Sequence, residues 1–347
     1  MSLEFIPNRV FYEPGVLDYP LGKTLVQRFQ NMGISMSPTT SHNRITGIPG
    51  DSAAAAYREA KRALVIGVRR SKTFQSCKPS AHYQLPLVTS CPGMCEYCYL
   101  ATTLGKKPYV RVYVNLEEIL GIASNLIQER LPEITQFEGA ATSDPIPVER
   151  YTGALKKTIE FFGREQNGRF RFVTKYTDVE SLLEARHEGH TRFRFSLNCA
   201  EVVQKYEHGT PSPEERIIAS GKVLNAEYPL GFIIAPIFRF PGWQEAYRRL
   251  LERSADEVVK RAPLGWSSEQ LSLEFISHRF TAKAKANILE VFPNSTLPME
   301  EEERKFKYGQ FGYGKYVYQP EEIKEMKEFF QEQAKGYFPL AQVEYFI

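Results

Sequence analysis

Apolar and polar positions follow two different periods along most of the chain. Short runs of apolar and β-branched residues predict strands, and longer stretches with helical spacing lie between them. The predicted strands are residues 85–89, 109–114, 134–139, 170–174, 193–197, 231–234 and 271–276. The predicted helices are residues 117–128, 148–162, 179–186, 213–227 and 243–261. Strands that alternate with helices are typical of right-handed βαβ units and a parallel sheet.

The fold class predicted from this order is an α/β partial barrel. Six of the strands belong to the alternating core, with 109–114 as a further run, and six are too few for a complete eight-stranded barrel. We therefore predict a partial (β/α)6 barrel over residues 81–290. The predicted N-terminal segment is an α/β extension over 1–80, with a helix at 52–62 and a strand at 63–68. The predicted C-terminal segment covers 291–347, with a helix at 320–335 and a strand near 343–346.

Composition narrows the function classes only slightly. The 347 residues include 44 basic and 41 acidic side chains, a net charge of +3 that is too small to indicate a nucleic-acid partner by itself. No apolar run is long enough to cross a bilayer, and the N-terminus lacks the apolar core of a signal peptide. We therefore expect a cytoplasmic protein without a membrane partner.

Three of the five cysteines form the most informative motif. Cys91, Cys95 and Cys98 have C-x3-C-x2-C spacing in one loop, which favours a metal or redox site over disulfides in a reducing compartment. A [4Fe–4S] cluster normally takes four cysteine ligands, so three local thiols would leave one iron open to an external ligand. Cys77 and Cys199 belong to no such motif, and we interpret each as a buried small residue.

The loop resembles the cluster-binding motif of the radical S-adenosylmethionine (SAM) superfamily, including the aromatic Tyr97 before the last cysteine. The resemblance implies that SAM occupies the open iron and is cleaved to a 5′-deoxyadenosyl radical. The alternative is a structural zinc site made by the three cysteines and His82. Zinc sites usually pair their cysteines with a distant second pair, which the sequence lacks, so we favour the iron–sulfur interpretation.

Further motifs resemble one family within this superfamily, spore photoproduct lyase. They are CPGMCEYCYLATTLG at 91–105, FEGAATSD at 137–144, FVTK at 172–175, TRFRFSLN at 191–198, SHRFT at 277–281 and GKYVY at 314–318. The resemblance extends over nearly the whole chain from about residue 19. It implies a DNA repair lyase of spore-forming bacteria, active in the spore core or the germinating cell. The implied substrate is 5-thyminyl-5,6-dihydrothymine, in which two adjacent thymines are joined through a methyl carbon.

The resemblance also implies roles for individual residues. The implied cluster ligands are Cys91, Cys95 and Cys98; the implied SAM-binding positions are Lys175, Ser196 and Asn198, with backbone near Tyr97 and Ala235; the implied radical relay is Tyr97 and Tyr99. The adenosyl radical would abstract hydrogen from C6 of the lesion, and β-scission would then separate the thymines. An electron donor, which the sequence does not identify, would reduce the cluster.

One position departs from the family pattern. The family's hydrogen donor is a cysteine in the segment that matches 137–144, and Ala141 stands at that position here. An alanine methyl group cannot quench an allylic radical on a useful timescale, whereas a weak S–H bond can. Two explanations remain: an engineered variant, which we favour because the match is otherwise close, or a natural relative with a different donor.

The stretch 304–316 alternates basic and aromatic residues before a glycine-rich turn. Period two places Phe306 and Tyr308 on one face and Lys305 and Lys307 on the other. One interpretation is a β-hairpin whose aromatic rings wedge beside the lesion while cations meet phosphates; the other is a solvated hairpin packed on the barrel. The family resemblance favours DNA. The candidate substrate-binding residues are Ser143, Tyr99, Arg304, Lys307 and Tyr308.

Two other functions stay open on the sequence alone. A radical SAM enzyme could act on RNA, a peptide or a small molecule. From a different class, the chain could be a non-catalytic, zinc-stabilised nucleic-acid-binding module.

Overall fold

A computed structural model describes residues 3–98, 104–105, 107–308 and 314–347. The strands are β1 (Arg9–Tyr12), β2 (Ser35–Pro38), β3 (Ala63–Gly67), β4 (Ser76–Cys77), β5 (Ala81–Gln84), β6 (Val88–Thr89), β7 (Met94–Cys95), β8 (Val110–Tyr113), β9 (Thr135–Glu138), β10 (Gly168–Thr174), β11 (Thr191–Leu197), β12 (Glu207–His208), β13 (Leu230–Ile237), β14 (Leu271–Ser277), β15 (Lys305–Tyr308), β16 (Gly314–Val317) and β17 (Gln342–Phe346). The α-helices are α1 (Pro20–Asn31), α2 (Ala53–Lys61), α3 (Leu116–Glu129), α4 (Ile146–Thr152), α5 (Ala154–Arg164), α6 (Ala200–Tyr206), α7 (Pro213–Asn225), α8 (Trp243–Arg261), α9 (Ala282–Val291) and α10 (Pro320–Tyr337).

The chain forms two compact units. The first comprises Met1–Gly93 and Leu104–Arg192. It contains a five-stranded sheet in the order β2-β1-β3-β8-β6, in which only β6 runs antiparallel to its neighbour. In the same unit β10, β9 and β5 are parallel neighbours, and β4 pairs antiparallel with β5. The β9 end that leads to Ala141 therefore lies beside the β5 end that leads to Leu85.

The second unit comprises Met94–Thr103 and Phe193–Ile347. Strands β11, β13, β14 and β17 are parallel neighbours in that order. Helix α8 buries Tyr247 against Phe330 of α10, with ring centroids 5.3 Å apart, and Phe330 packs in turn on Phe275 of β14 at 4.8 Å. Two short antiparallel pairs complete the unit, β7 with β12 and β15 with β16.

Most predicted elements are present with shifts of a few residues, and α8 has the predicted bounds. Helix α7 begins with the capping box that its sequence contains: Ser212 accepts a hydrogen bond from the Glu215 backbone N–H, and Glu215 accepts one from the Ser212 backbone N–H. The predicted C-terminal hairpin is also present, as β15 and β16.

Three predicted elements are wrong in part. Of the predicted strand 85–89 only Val88–Thr89 is a strand, β6, while the preceding β5 ends at Gln84 and belongs to a different sheet. Pro86, which has no N–H to donate to a strand partner, lies between them. The helix 148–162 is two helices separated by Gly153, whose φ of +58° ends the first. The helix 179–186 is reduced to one 3-10 turn, Glu180–Leu182. The sequence pattern did not predict α1, α6 and α9.

No helix among the described residues is both long and apolar enough to cross a membrane. The predicted division at residues 80 and 290 stays a prediction.

The buried pair Arg194–Glu274 gives a first testable prediction. Arg194 Nη1 lies 2.9 Å from Glu274 Oε2, and both side chains are at most 2% exposed. Arg194→Met leaves the Glu274 carboxylate buried without its cation, so we expect a loss of about 3–5 kcal/mol in the free energy of unfolding, measured by chemical denaturation. Arg186→Met is the matched control, because its ion pair with Glu188 is exposed and contributes little. Equal midpoints for the two variants would contradict this.

Candidate active site

The cysteine loop begins at a tightly anchored residue of the first unit. Ser90 is fully buried with φ of +64°, its Oγ donates to the Pro108 carbonyl oxygen at 2.8 Å, and its backbone N–H donates to Thr142 at 2.7 Å. Lys61, 1% exposed, donates from Nζ to the carbonyl oxygen of the next residue, Cys91, at 3.0 Å. These contacts fix the backbone that carries the first predicted cluster ligand.

The rest of the loop is held within the second unit. Cys95 lies in β7 opposite Glu207 of β12, and the Cys98 N–H donates to the Cys95 carbonyl oxygen at 3.1 Å. Glu96 Oε1 lies 2.7 Å from His208 Nε2. Strand pairing, a turn and a side-chain contact together fix the backbone conformation between Cys95 and Cys98.

Tyr97 is fixed by a buried charge network. Its hydroxyl donates a short hydrogen bond to Glu207, whose carboxylate pairs with Arg216 at 2.6 Å. Arg216 is fully buried and also donates to the Ser196 carbonyl oxygen at 3.1 Å. Burial and the nearby Glu207 charge raise the pKa of the Tyr97 phenol well above its usual value, so the hydroxyl stays protonated.

The donor set fits an iron–sulfur cluster better than zinc. Three thiols from one short loop are the ligand type that such clusters use. The histidine of the zinc alternative is engaged elsewhere: His82 Nδ1 accepts from the Gln136 backbone N–H at 2.9 Å, and Nε2 lies 3.4 Å from Arg130. Both ring nitrogens of His82 therefore contact other groups of the first unit, which argues against its use as a zinc ligand.

A cavity of about 140 Å³ lies in the first unit, beyond the end of β9. Ala141 and Ser143 line it, together with Gln75 and Gln84. The Ser143 Oγ is buried, and among the described residues it has no hydrogen-bond partner. The structure thus brings the family's hydrogen-donor position and the predicted lesion contact to one cavity, with an unsatisfied hydroxyl available to a ligand.

Asp144 secures the segment that follows. Its carboxylate accepts hydrogen bonds from Thr174 Oγ1 at 2.8 Å and from the backbone N–H of Lys175 at 2.8 Å. Burial raises the pKa of the Asp144 carboxyl to about 6. Lys175, a predicted SAM-binding residue, is thereby held through its backbone just after β10.

The other predicted SAM-binding positions lie near the carboxyl ends of β11 and β13. Asn198 is fully buried: its Nδ2 donates to the Pro236 carbonyl oxygen at 2.7 Å, and its Oδ1 accepts from the Tyr247 hydroxyl at 2.9 Å. Ser196 and Ala235 lie on these two neighbouring strands. The Asn198 amide therefore braces the backbone next to Ala235 instead of presenting both its polar atoms to a ligand.

The hairpin places its aromatic and basic side chains as the period-two pattern predicts. The rings of Phe306 and Tyr308 lie 5.3 Å apart, and Tyr308 is 81% exposed. Lys307 is exposed as well. Arg304 differs from the prediction: it is buried, donates to the Pro298 carbonyl oxygen at 2.8 Å and lies 3.6 Å from the Tyr318 ring centroid. Arg304 is an anchor of the hairpin and not a surface contact. Tyr99 lies outside the described residues.

Sequence reasoning missed the residues that hold the loop. Lys61 has a detectable signal, because it follows Tyr57 by four residues on the apolar face of α2, where a lysine is unusual. Glu207 and Arg216 have no comparable signal, since each is an ordinary charged residue until tertiary contacts bring them together.

Known proteins are similar to this chain over nearly its full length. The spore photoproduct lyase family profile matches residues 5–347. The chain belongs to the spore photoproduct lyase family. It is 50% identical to spore photoproduct lyase of Clostridium acetobutylicum, over 99% of this chain and 100% of the relative. It is 46% identical to that of Bacillus subtilis, over 100% of both chains.

Solved structures of spore photoproduct lyase are equally similar. A double mutant with bound AdoMet and dinucleoside spore photoproduct has a TM-score of 0.95 and 50% identity, over 99% of each chain. That mutant replaces one cysteine by alanine and one serine by cysteine. A complex with dinucleoside spore photoproduct has a TM-score of 0.95 at 49% identity, over 99% of each chain. The predicted α/β partial barrel and the predicted lyase class are confirmed.

The contact between Lys61 and Cys91 gives a second prediction. Lys61→Met removes the charged donor from the Cys91 carbonyl oxygen, which loosens the start of the loop. We expect less iron per chain after anaerobic reconstitution, measured by iron assay and by the visible absorbance of the cluster. Lys260→Met, at an exposed position of α8, is the control and should keep the wild-type iron content. An unchanged iron content in Lys61→Met would show that the loop does not need this contact.

Proposed function

We propose that this chain repairs the spore photoproduct in DNA, using a [4Fe–4S] cluster and SAM. The observation that supports this most strongly is the full-length likeness to a spore photoproduct lyase with bound AdoMet and dinucleoside spore photoproduct. When bound, the cluster and SAM would supply the 5′-deoxyadenosyl radical chemistry that hydrogen abstraction at C6 of the lesion requires. We expect the reaction in the bacterial cytoplasm, in the spore core or the germinating cell, with a low-potential one-electron donor as a further partner.

The protein's own residues would bind and orient the reactants. Cys91, Cys95 and Cys98 would hold the cluster. The SAM-binding positions would be Lys175, Ser196 and Asn198, with backbone near Tyr97 and Ala235. Of these, Asn198 would act by holding the Pro236 backbone in place, as its hydrogen bonds indicate.

The cavity beside Ala141 would receive the lesion. Its buried Ser143 hydroxyl can donate to a thymine carbonyl oxygen, which would satisfy an atom that has no partner among the described residues. The lesion must leave the base stack to reach such a pocket. Tyr97, kept protonated by its burial and by the nearby Glu207 charge, has a phenolic hydrogen atom beside the loop, as a radical relay requires.

The exposed hairpin would contact the DNA around the extruded lesion. Tyr308 and Phe306 offer aromatic surface to bases, and Lys307 offers a cation to a phosphate.

Turnover of a defined substrate tests the proposal. Reduced, cluster-loaded enzyme with SAM and dinucleoside spore photoproduct should consume the lesion and form 5′-deoxyadenosine, both measured by chromatography with mass detection. Cys95→Ala should bind little iron and lose both activities, because two thiols remain for the cluster. Cluster-loaded wild-type protein that forms neither product would reject the proposal, and turnover of an RNA or peptide substrate instead would favour another superfamily function.

The hairpin gives a separate prediction. Tyr308→Ala should weaken binding to a lesion-bearing duplex roughly tenfold, because one aromatic contact is lost, while binding of the isolated dinucleoside changes little. Lys307→Ala should reduce the slope of log affinity against log salt concentration by about 1. Fluorescence anisotropy measures both. Lys324→Ala, 76% exposed on α10, serves as the control for a general loss of positive charge. Equal effects of Tyr308→Ala on both ligands would place this ring in the pocket and not on flanking DNA.

A further inference from the structure

The cavity that contains Ala141 and Ser143 is lined in part by the N-terminal part of the chain. Arg69, Thr89 and Tyr113 also line it, and they lie in or just after strands of the five-stranded sheet. Arg69 comes two residues after β3, whose neighbour β8 is parallel to it. Loops beyond the carboxyl ends of parallel strands are where open α/β sheets bind ligands. The cavity therefore combines the end of β9 with the ligand-binding edge of a second sheet in the same unit.

The backbone of Arg69 is held on both of its polar groups. Asn115, which is 2% exposed, accepts a hydrogen bond at Oδ1 from the Arg69 backbone N–H at 2.9 Å. The Asn115 Nδ2 donates in return to the Arg69 carbonyl oxygen, also at 2.9 Å. The guanidinium carbon of Arg69 lies 5.9 Å from the Phe74 ring centroid. These contacts position the Arg69 cation before any ligand binds.

Arg69 keeps hydrogen-bond donors for a ligand. Its Nη2 donates to the Thr73 carbonyl oxygen at 2.9 Å, whereas its Nε is buried and has no hydrogen-bond partner among the described residues. Across those residues, no ion pair involves Arg69. Glu138, which also lines the cavity, already accepts from Ser80 Oγ at 2.8 Å and from the Ala140 N–H at 3.1 Å. A half-buried guanidinium without a carboxylate partner favours an anionic ligand.

The lesion in DNA brings one anion of its own to this cavity. Two thymines joined through a methyl carbon belong to one dinucleotide step, and a single phosphodiester links their sugars. A guanidinium binds a phosphate through two parallel N–H···O contacts, which a thymine carbonyl oxygen does not offer. The solved relatives hold a dinucleoside spore photoproduct, and a dinucleoside has no internucleoside phosphate. The contact of this phosphate is therefore not part of those complexes.

We propose that Arg69 binds the phosphodiester between the two thymidines of the lesion, an inference that rests on the proposed repair function. Ser143 would donate to a thymine carbonyl oxygen, and Arg69 would hold the phosphate of the same dinucleotide. The two contacts differ in chemistry and come from different sheets of one unit. The N-terminal segment thereby takes part in substrate recognition.

Binding of matched ligands by the unreduced holoenzyme tests this contact. Cluster-loaded protein with SAM, kept anaerobic and without reductant, is titrated in a calorimeter with two ligands. One is the dinucleoside spore photoproduct, and the other is the dinucleotide that carries the internucleoside phosphate. We expect the wild type to bind the dinucleotide about tenfold more tightly, because one charge-assisted contact is added. A dinucleotide with a neutral methylphosphonate in place of the phosphate should bind like the dinucleoside.

Variants then assign the preference to one side chain. Arg69→Gln should lose most of the preference for the dinucleotide, while its affinity for the dinucleoside stays unchanged. Arg69→Lys keeps the charge without the forked geometry and should show an intermediate preference. Lys72→Gln, at an exposed position of the same segment, is the matched control for a general loss of positive charge and should keep the full preference.

The outcomes separate this inference from the proposed function. Equal affinity of the wild type for dinucleotide and dinucleoside would overturn the Arg69 contact and leave the repair function standing. An equal loss of preference in Arg69→Gln and Lys72→Gln would also overturn it, in favour of a diffuse electrostatic effect. Wild-type protein that binds neither ligand and consumes no lesion after reduction would reject the repair function itself, and the Arg69 contact with it.

Discussion

The buried carboxylate of Glu207 is the contact on which the cysteine loop depends. It accepts a hydrogen bond from the Tyr97 hydroxyl and pairs with Arg216. The residue itself lies in β12, opposite Cys95 of β7. Arg216 continues the network to the Ser196 backbone. A buried charge is costly unless it is paired, so any arrangement that separates Glu207 from Arg216 would be higher in free energy. The side chains of this ion pair hold a predicted relay tyrosine and a predicted SAM-binding strand, and the Glu207 backbone pairs with that of a predicted cluster ligand, all within the second unit.

The parts of the fold that the sequence predicted are those in which local pattern and tertiary structure agree. Helix α8 has an unbroken apolar stripe, and α7 has its own capping box, so both were found with nearly correct bounds. The strand at 85–89 was wrong in part because the apolar run does not show that β5 ends before it, at Gln84, and that only Val88–Thr89 forms a strand, in another sheet. The helix predicted at 179–186 was wrong because the backbone forms only one 3-10 turn there, at Glu180–Leu182, although the apolar positions have helical spacing.

The candidate site divides in the same way. Thiol spacing and the motif around Ala141 predicted a cluster loop and a substrate pocket from residues close in sequence. Contacts between distant positions could not be predicted, including Lys61 with the Cys91 carbonyl oxygen. Arg304 shows the opposite error: a basic residue in a basic stretch suggested a phosphate contact, but its guanidinium packs on Tyr318 inside the fold. The sequence shows which side chains carry a positive charge, but only the fold shows whether a side chain is exposed enough to contact a phosphate.

The two aromatic rings of the hairpin have a thermodynamic consequence. Tyr308 is 81% and Phe306 48% exposed, so the free protein keeps a large apolar area hydrated. Covering that area releases ordered water and lowers the heat capacity of the system. Under the proposed function, association with DNA would therefore combine an ionic contribution, which depends on salt concentration, with an apolar contribution, which depends on temperature. Added salt would weaken the ionic part, whereas moderate warming would strengthen the part that comes from the rings.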